Sequence, residues 1–242
     1  MTEVVIFCGG KGTRLWPYTE SINKNMVDIG GRPMLWHVMK IYSSFGFKDF
    51  ILCLGLHGGK VWEYFSKSEN VEPDWKINFV NTGEETLIGG RLKRVKDFIK
   101  GEDFFATYGD GISDIDVRNL MEFHKKHGKI GTLTAVKPFS QFGILDIDHA
   151  SENATVLSFK EKPVLDSWIN GGFFVFNRKI FYYLEQSEDL ENVVLKKLAE
   201  DRQLSAYKHE GFWKCMDTFK DANQLNELWD SGAPWAVWNK AS

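Results

Sequence analysis

The feature that most constrains this chain lies near its start. The apolar run Val4-Val5-Ile6-Phe7 leads through Cys8 into Gly9-Gly10-Lys11-Gly12-Thr13-Arg14-Leu15. A continuous apolar run without alternation is the mark of a strand buried on both faces, as in a parallel sheet covered by helices. The glycines that follow permit positive φ and let backbone N–H groups approach an anion closely. Arg14 adds a planar fork of donors that matches phosphate oxygens. Two common phosphate loops are excluded. The spacing is not Gly-x-Gly-x-x-Gly, and Lys11 is followed by Gly12 where Ser or Thr would be needed. The glycines alone also fit a turn with no ligand; Thr13-Arg14 directly after them favours an anion site.

Further along, Pro33 precedes Leu35, Val38, Met39 and Tyr42 at helical spacing. Trp36, His37 and Met39 belong to this pattern and are expected in the core. Residues 50–54 and 77–80 read as strands, residues 90–99 as a helix and 104–107 as a fourth strand. This alternation predicts an α/β fold: a Rossmann-like, mostly parallel sheet with helices on both faces. The second half is less regular. Strands are expected at 131–136, 143–147, 155–159 and 173–176, and helices over 188–199 and 221–229. The later strands are expected to build a smaller lid subdomain over the crevice at the strands' carboxyl ends. No repeat or long linker interrupts the chain, so residues 1–242 are read as one domain.

Composition sets the outer limits. The chain has 242 residues, of which 43% are apolar, enough for a core without disulfides. A net charge of −3 argues against a general nucleic-acid binder, although a local cluster can still hold a small anion. Cys8, Cys53 and Cys215 have neither disulfide nor zinc spacing. His124 and His127 lie three apart with lysines between them, which favours a solvated helix face over a metal pair. No apolar stretch approaches the ~20 residues that span a bilayer, and the start lacks a basic n-region. A soluble, cytoplasmic protein with no membrane partner is expected.

Asp110, in Tyr108-Gly109-Asp110-Gly111, follows the fourth strand, where its carboxylate would meet a hard cation and phosphates. A turn or cap is the ordinary role of an Asp in such a place. Asp114-Ile115-Asp116 has the Asp-x-Asp form of many glycosyltransferases, but one of the two is expected to cap a helix starting near Val117. Arg91, Lys93, Arg94 and Lys96 form a basic run on a helix opened by Gly89-Gly90, and most are expected in solvent or paired with acids.

The loop at 9–15 resembles the signature of sugar-phosphate nucleotidyltransferases. The resemblance continues through Ile29-Gly30-Gly31-Arg32-Pro33, Thr86-Leu87-Ile88-Gly89-Gly90-Arg91, Phe159-Lys160-Glu161-Lys162-Pro163, Ile169-Asn170-Gly171-Gly172-Phe173 and Met216-Asp217-Thr218. It is nearest to the glucose-1-phosphate cytidylyltransferases. It implies transfer of CMP from CTP to glucose 1-phosphate, release of pyrophosphate, a lid that doubles as the sugar-binding subdomain, and a homo-oligomer. It further implies Arg14, Lys24 and Asp110 as catalytic residues, with Mg²⁺ held by Asp110 and Asp217. The nucleotide would meet Gly9, Gly10, Gly12, Thr13, Arg14, Gly83, Gly89 and Arg91. The acceptor would meet Gly143, Glu161, Lys162, Asn170 and Gly171.

The chain departs from the family at several points. Ile22-Asn23-Lys24-Asn25-Met26 stands where the family has Lys-Pro-Lys-Pro-Met. The second lysine is kept and both prolines are lost, which is expected to leave the segment less rigid. Cys8 replaces an alanine and Cys215 a proline, and the stretch before Val80 is shorter by some twenty residues. Other readings are a nucleotidyltransferase for another base or phosphorylated acceptor, an Asp-x-Asp glycosyltransferase, and a non-catalytic nucleotide-sugar binder.

Overall fold

The opening apolar run forms β1 (Glu3–Phe7), buried along its whole length. The computed structural model describes residues 2–10, 12, 22–150, 153–185 and 188–239. Lys11, Thr13, Arg14 and Leu15 of the Gly-rich loop lie outside them. In chain order the further strands are β2 (Asp28–Ile29), β3 (Arg32–Pro33), β4 (Asp49–Leu54), β5 (Lys76–Asn81), β6 (Asp103–Tyr108), β7 (Gly111–Ser113), β8 (Gly131–Val136), β9 (Ile144–Ile147), β10 (Val156–Lys160), β11 (Ile169–Asn177), β12 (Leu204–His209) and β13 (Trp213–Cys215). The α-helices are α1 (Met34–Ser44), α2 (Gly58–Phe65), α3 (Ile88–Arg94), α4 (Val117–His127), α5 (Ile180–Leu184), α6 (Leu195–Glu200) and α7 (Phe219–Asp230).

Seven strands join in the order β12-β8-β11-β6-β1-β4-β5. The β6-β1-β4-β5 portion is parallel. Antiparallel β11 lies between β6 and β8, and β12 runs parallel to β8. Side chains alternate across a strand, so β1 feeds two cores. Val4 and Ile6 pack with Leu35, Val38 and Tyr42 of α1, while Val5 and Phe7 pack with Leu92 of α3 and Ile180 and Leu184 of α5. Helices therefore cover both faces, as the unbroken apolar run requires. Of the four strands expected in the second half, β8 and β11 extend this sheet and β9 and β10 stand apart from it. Phe173, Phe174, Val175 and Phe176 of β11 are fully buried, alternating between the two cores. The smaller subdomain is the exposed ribbon β9–β10, inserted between β8 and β11.

Register decides where a ligand could sit. Phe7 pairs with Cys53 and Tyr108, Leu54 with Asn81, and Val136 with both Ile169 and His209. The carboxyl ends of β1, β4, β5, β6, β8 and β12 thus share one edge with the amino end of β11. Parallel sheets open their crevice at this end.

The aromatic C-terminal segment closes over α1. His37 is fully buried. Its Nε2 lies 2.8 Å from the carbonyl oxygen of Ile29, and the Trp235 indole donates to its Nδ1 at 3.3 Å. Those contacts fix a neutral ring with the proton on Nε2, and burial pulls its pKa down to about 4. The core placement expected for His37 follows from this. No helix among the described residues is long and apolar enough to cross a membrane.

Candidate active site

The site grows from a short ladder. After β6 the chain turns at Gly109-Asp110 into β7, which pairs antiparallel with β13, Gly111 opposite Cys215. The Met216 amide continues the pairing, donating to the Asp110 carbonyl at 2.9 Å. Asp217 therefore arrives beside Asp110 from the far end of the sequence. Asp221, in the box that caps α7, accepts from the Asp217 amide at 3.1 Å and anchors it.

Lys24 meets both acids. Its Nζ lies 2.6 Å from Oδ2 of Asp110 and 2.6 Å from Oδ1 of Asp217. The lysine side chain is 10% exposed and each carboxylate 27% exposed. Burial alone would lower the lysine pKa, but the two carboxylates outweigh it and the net shift is upward. The ammonium stays charged at neutral pH. Cys215 adjoins the pair, its Sγ 3.8 Å from Oδ2 of Asp217. Burial and then the Asp217 charge push this thiol up to about 12, so it remains protonated.

A second group ties the Gly-rich loop down. Arg91 is 2% exposed. Its Nη2 donates to the carbonyls of Gly9 (2.8 Å) and Glu84 (3.1 Å), and its Nη1 to Thr82 Oγ1 (2.8 Å), Gly83 O (2.8 Å) and Leu54 O (3.2 Å). One guanidinium thus joins the loop after β1, the end of β4 and the turn after β5. A side chain at Gly9 would collide with it, since a Cβ there would lie 2.1 Å from Nη1. Gly83 turns with φ +86, a conformation glycine adopts freely. Gly89 packs on the 188 segment, where a Cβ would lie 2.6 Å from the Glu188 carbonyl oxygen. Gly10 is exposed, and Gly12 has φ +60.

A third group lies on and beside the ribbon. Glu161 and Lys162 pair at 3.0 Å. Gly143 sits against Phe159 and Glu161, where a Cβ would be 3.2 Å from Glu161 Oε2. Lys162 holds φ +43, a left-handed conformation uncommon for a side-chain-bearing residue and frequent at functional sites. Asn170 accepts from the Gly172 amide at 3.0 Å, and the Gly171 carbonyl accepts from the Trp213 indole at 2.8 Å. Trp213 belongs to β13, so the start of β11 is fastened to the strand that delivers Asp217. Of the residues named from sequence, the structure joins Lys24, Asp110 and Asp217 in one cluster, Gly9, Gly83 and Arg91 in a second, and Gly143, Glu161 and Lys162 in a third. Thr13 and Arg14 lie outside the described residues.

The Asp-x-Asp pattern is absorbed by structure. Asp116 caps α4 by accepting from the Arg118 amide at 2.9 Å, and Asp114 lies 3.0 Å from Nε2 of His209. His124 and His127 both contact the Thr132 hydroxyl at 2.8 Å, and no metal-holding group of three acidic, His or Cys side chains occurs among the described residues.

Two features escape a reading of the sequence. The Tyr108 hydroxyl donates to Glu191 at 2.7 Å, directly before Gly109-Asp110. Asn23 and Asn25, both buried, bond to each other and to the sheet edge. The only sequence signal for the second was the loss of two prolines around Lys24.

Comparison with known proteins identifies the family. Residues 3–231 match the family described as Nucleotidyl transferase. The chain is 41% identical to the probable glucose-1-phosphate cytidylyltransferase of Bacillus subtilis, covering 98% of this chain and all of that one. It is 43% identical to the glucose-1-phosphate cytidylyltransferase of Salmonella typhi, with 98% and 99% covered. Among solved structures, the HddC protein of Yersinia pseudotuberculosis superposes with a TM-score of 0.73 at 24% identity, over 95% of this chain and 100% of that one. A putative glucose-1-phosphate thymidylyltransferase of Bacillus anthracis gives 0.72 at 19% identity, over 94% and 95%. These two likenesses concern the fold. Matched over nearly its whole length, the chain belongs to the sugar-1-phosphate nucleotidyltransferases.

Proposed function

We propose that this enzyme transfers CMP from CTP to glucose 1-phosphate, releasing pyrophosphate and forming the nucleotide-activated sugar. The observation that carries the reading is the Lys24 ammonium held between Asp110 and Asp217 at the carboxyl edge of the sheet. The two cytidylyltransferase relatives, matched from end to end, support the choice of base and acceptor.

The chemistry follows from charge. A phosphate monoester has a second pKa near ~6, so the acceptor oxygen is already anionic at neutral pH and needs no general base. It attacks the α-phosphorus in line, and the bond to the pyrophosphate oxygen breaks. Lys24, kept charged by its two acids, faces the α-phosphate and offsets the charge that builds there. Thr13, Arg14 and the amides of Gly9, Gly10 and Gly12 cradle the triphosphate, and Arg91 keeps that loop in place. Glu161 holds sugar hydroxyls, Lys162 the sugar phosphate, and Gly143, Asn170 and Gly171 line the pocket.

The residues present fit Mg²⁺. Asp110 and Asp217 lie close enough to share one cation, here the Lys24 ammonium at 2.6 Å from each, and both carboxylates remain partly open to solvent. With Mg²⁺ held by the two acids, the ammonium would be displaced and released toward the phosphates. One or two carboxylates plus phosphates are the usual protein share of a Mg²⁺ site. The ion, when bound, neutralises phosphate charge. The same family resemblance carries a cytoplasmic homo-oligomer.

The test is a pyrophosphate-release screen of CTP, dTTP, UTP, GTP and ATP against several sugar 1-phosphates, with and without Mg²⁺. CTP with glucose 1-phosphate should give the highest turnover, abolished by EDTA. A glycosyltransferase would release nucleoside diphosphate instead. Failure of every pair to yield pyrophosphate would overturn the reading.

A further inference from the structure

We propose that Asn23 and Asn25 are positioning residues for Lys24, fixing the backbone that carries its ammonium to the site by a closed set of side-chain amide bonds. The inference rests on the reading of Lys24 as a phosphate ligand.

Lys24 opens a short 3-10 turn, Lys24–Met26, with Asn23 as its cap. Asn23 is 1% exposed and Asn25 is 5% exposed. The Asn23 amide nitrogen donates to the Cys8 carbonyl at 2.7 Å and to the Leu56 carbonyl at 3.0 Å. Its oxygen accepts from the Asn25 backbone amide at 3.0 Å and from the Asn25 side chain at 2.9 Å. A carboxamide has two donor hydrogens and two lone pairs, and all four are used. The Asn25 oxygen packs on Gly109, where a Cβ would lie 2.8 Å away.

The turn is therefore bonded just past the ends of β1 and β4 and packed just past the end of β6, one residue before Asp110. The lysine itself cannot supply this order. Its four-carbon stem is flexible, and two acids alone would draw the nitrogen through a range of backbone placements. A backbone pinned to the strands that also position Asp110 removes that freedom. The segment lacks the prolines of the family pattern, and its restraint comes from hydrogen bonds instead. Asn23 still holds φ −67, the value a proline would impose. The asparagines act as a unit, because the Asn25 amide donates to Asn23.

A purely structural role would lower stability and leave the folded enzyme's turnover intact. Positioning predicts a selective loss in kcat, since a misplacement of about 1 Å costs on the order of 100-fold. Asn23→Ala, Asn25→Ala and the double variant would be assayed by pyrophosphate release at saturating substrates. In parallel, the nucleotide-free proteins would be treated with acetic anhydride at pH 8, and Lys24 acetylation measured by peptide mass spectrometry. Lys60, 60% exposed, serves as the internal standard. Asn23→Ala should lower kcat about 10- to 100-fold with KM for the sugar phosphate within about threefold. Lys24 should be protected in the wild type and labelled several-fold faster in the variant. The double variant should be little worse than Asn23→Ala. Wild-type kcat and wild-type Lys24 protection in folded Asn23→Ala would overturn the proposal. If Asn23→Ala does not fold, Asn25→Ala, which leaves the bonds to Cys8 and Leu56 in place, decides by the same criteria. A wild-type protein that releases no pyrophosphate would sink the proposed function, while the labelling arm would still judge the positioning.

Discussion

Replacing Arg91 by alanine should unfold this protein more readily than any loss of a ligand contact could. The guanidinium makes five hydrogen bonds to protein oxygens. Two acceptors survive its removal: Leu54 O also accepts from the Thr82 amide at 2.8 Å, and Thr82 Oγ1 keeps its own bond to Leu54 O at 2.7 Å. The carbonyls of Gly9, Gly83 and Glu84 lose the donor that holds them. An acceptor stranded in a partly buried place costs about 1–2 kcal/mol, so the three carbonyls together cost about 3–5 kcal/mol. At roughly 2–4 °C per kcal/mol for a chain of this size, the midpoint should fall by about 6–20 °C. Arg91→Lys, with one nitrogen where two were, should recover only part of that. Urea unfolding followed by circular dichroism gives the free energy. A folded Arg91→Ala protein within about 1 kcal/mol of wild type, with nucleotide binding lost, would refute the reasoning and make Arg91 a ligand contact, as family resemblance implies.

Gly9→Ala should copy that defect, because its Cβ would lie 2.1 Å from Arg91 Nη1 and 2.8 Å from the Gly55 amide nitrogen; the double variant with Arg91→Ala should be less than additive in urea unfolding. Lys24→Ala and Asp110→Asn should each lower kcat about 100-fold or more with the fold retained, and near-normal turnover in either would remove its role. The Lys24 pKa is raised on folding, so the stability it brings is complete below its unfolded value near ~10.5 and is lost as pH rises through the higher folded value; Lys24→Met should flatten the alkaline limb of an unfolding-versus-pH curve. His37 has the opposite sign. With its pKa lowered to about 4, the unfolded chain takes up its proton first as pH falls below ~6.5. Stability should therefore drop by about 3 kcal/mol between there and pH 4, and His37→Gln should show a shallower slope over that window.

Much of the central sheet was legible because its physics is local. Unbroken apolar runs gave β1, β4 and β6, and the spacing after Pro33 gave α1. β12, Leu-Ser-Ala-Tyr-Lys-His, was not legible: it is a half-buried edge strand with little apolar content, held by its pairing with β8. β7 and β13, of three residues each, are too short to carry any periodicity. The site depends on those two. Nothing in the residues around Asp217 announces that Cys215 will pair with Gly111, so family resemblance could name both acids without giving their convergence on Lys24. Arg91 was opaque for a related reason. Most of its partners are backbone carbonyls, which every sequence carries.

The topology explains why these separate devices face one another at all. In an all-parallel sheet only strand ends would meet at the crevice edge. Antiparallel β11 reverses that, bringing its own start, Ile169 to Gly172, beside the end of β6. The chain therefore leaves β8 at the crevice edge and must re-enter β11 at the same edge, and everything between is free to project outward there. That excursion is the ribbon carrying Gly143, Glu161 and Lys162. The strands that bring Asp110 and Asp217 to Lys24 and the exposed ribbon are thereby coupled at Asn170-Gly171, through the Gly171 carbonyl and the Trp213 indole. Ribbon changes should accordingly alter KM for the sugar phosphate with little effect on unfolding free energy. Glu161→Ala is the simplest case, because its side chain is 59% exposed and its partner Lys162 remains solvated. Unchanged acceptor KM together with a stability loss above about 1 kcal/mol would mean that the ribbon belongs to the core after all.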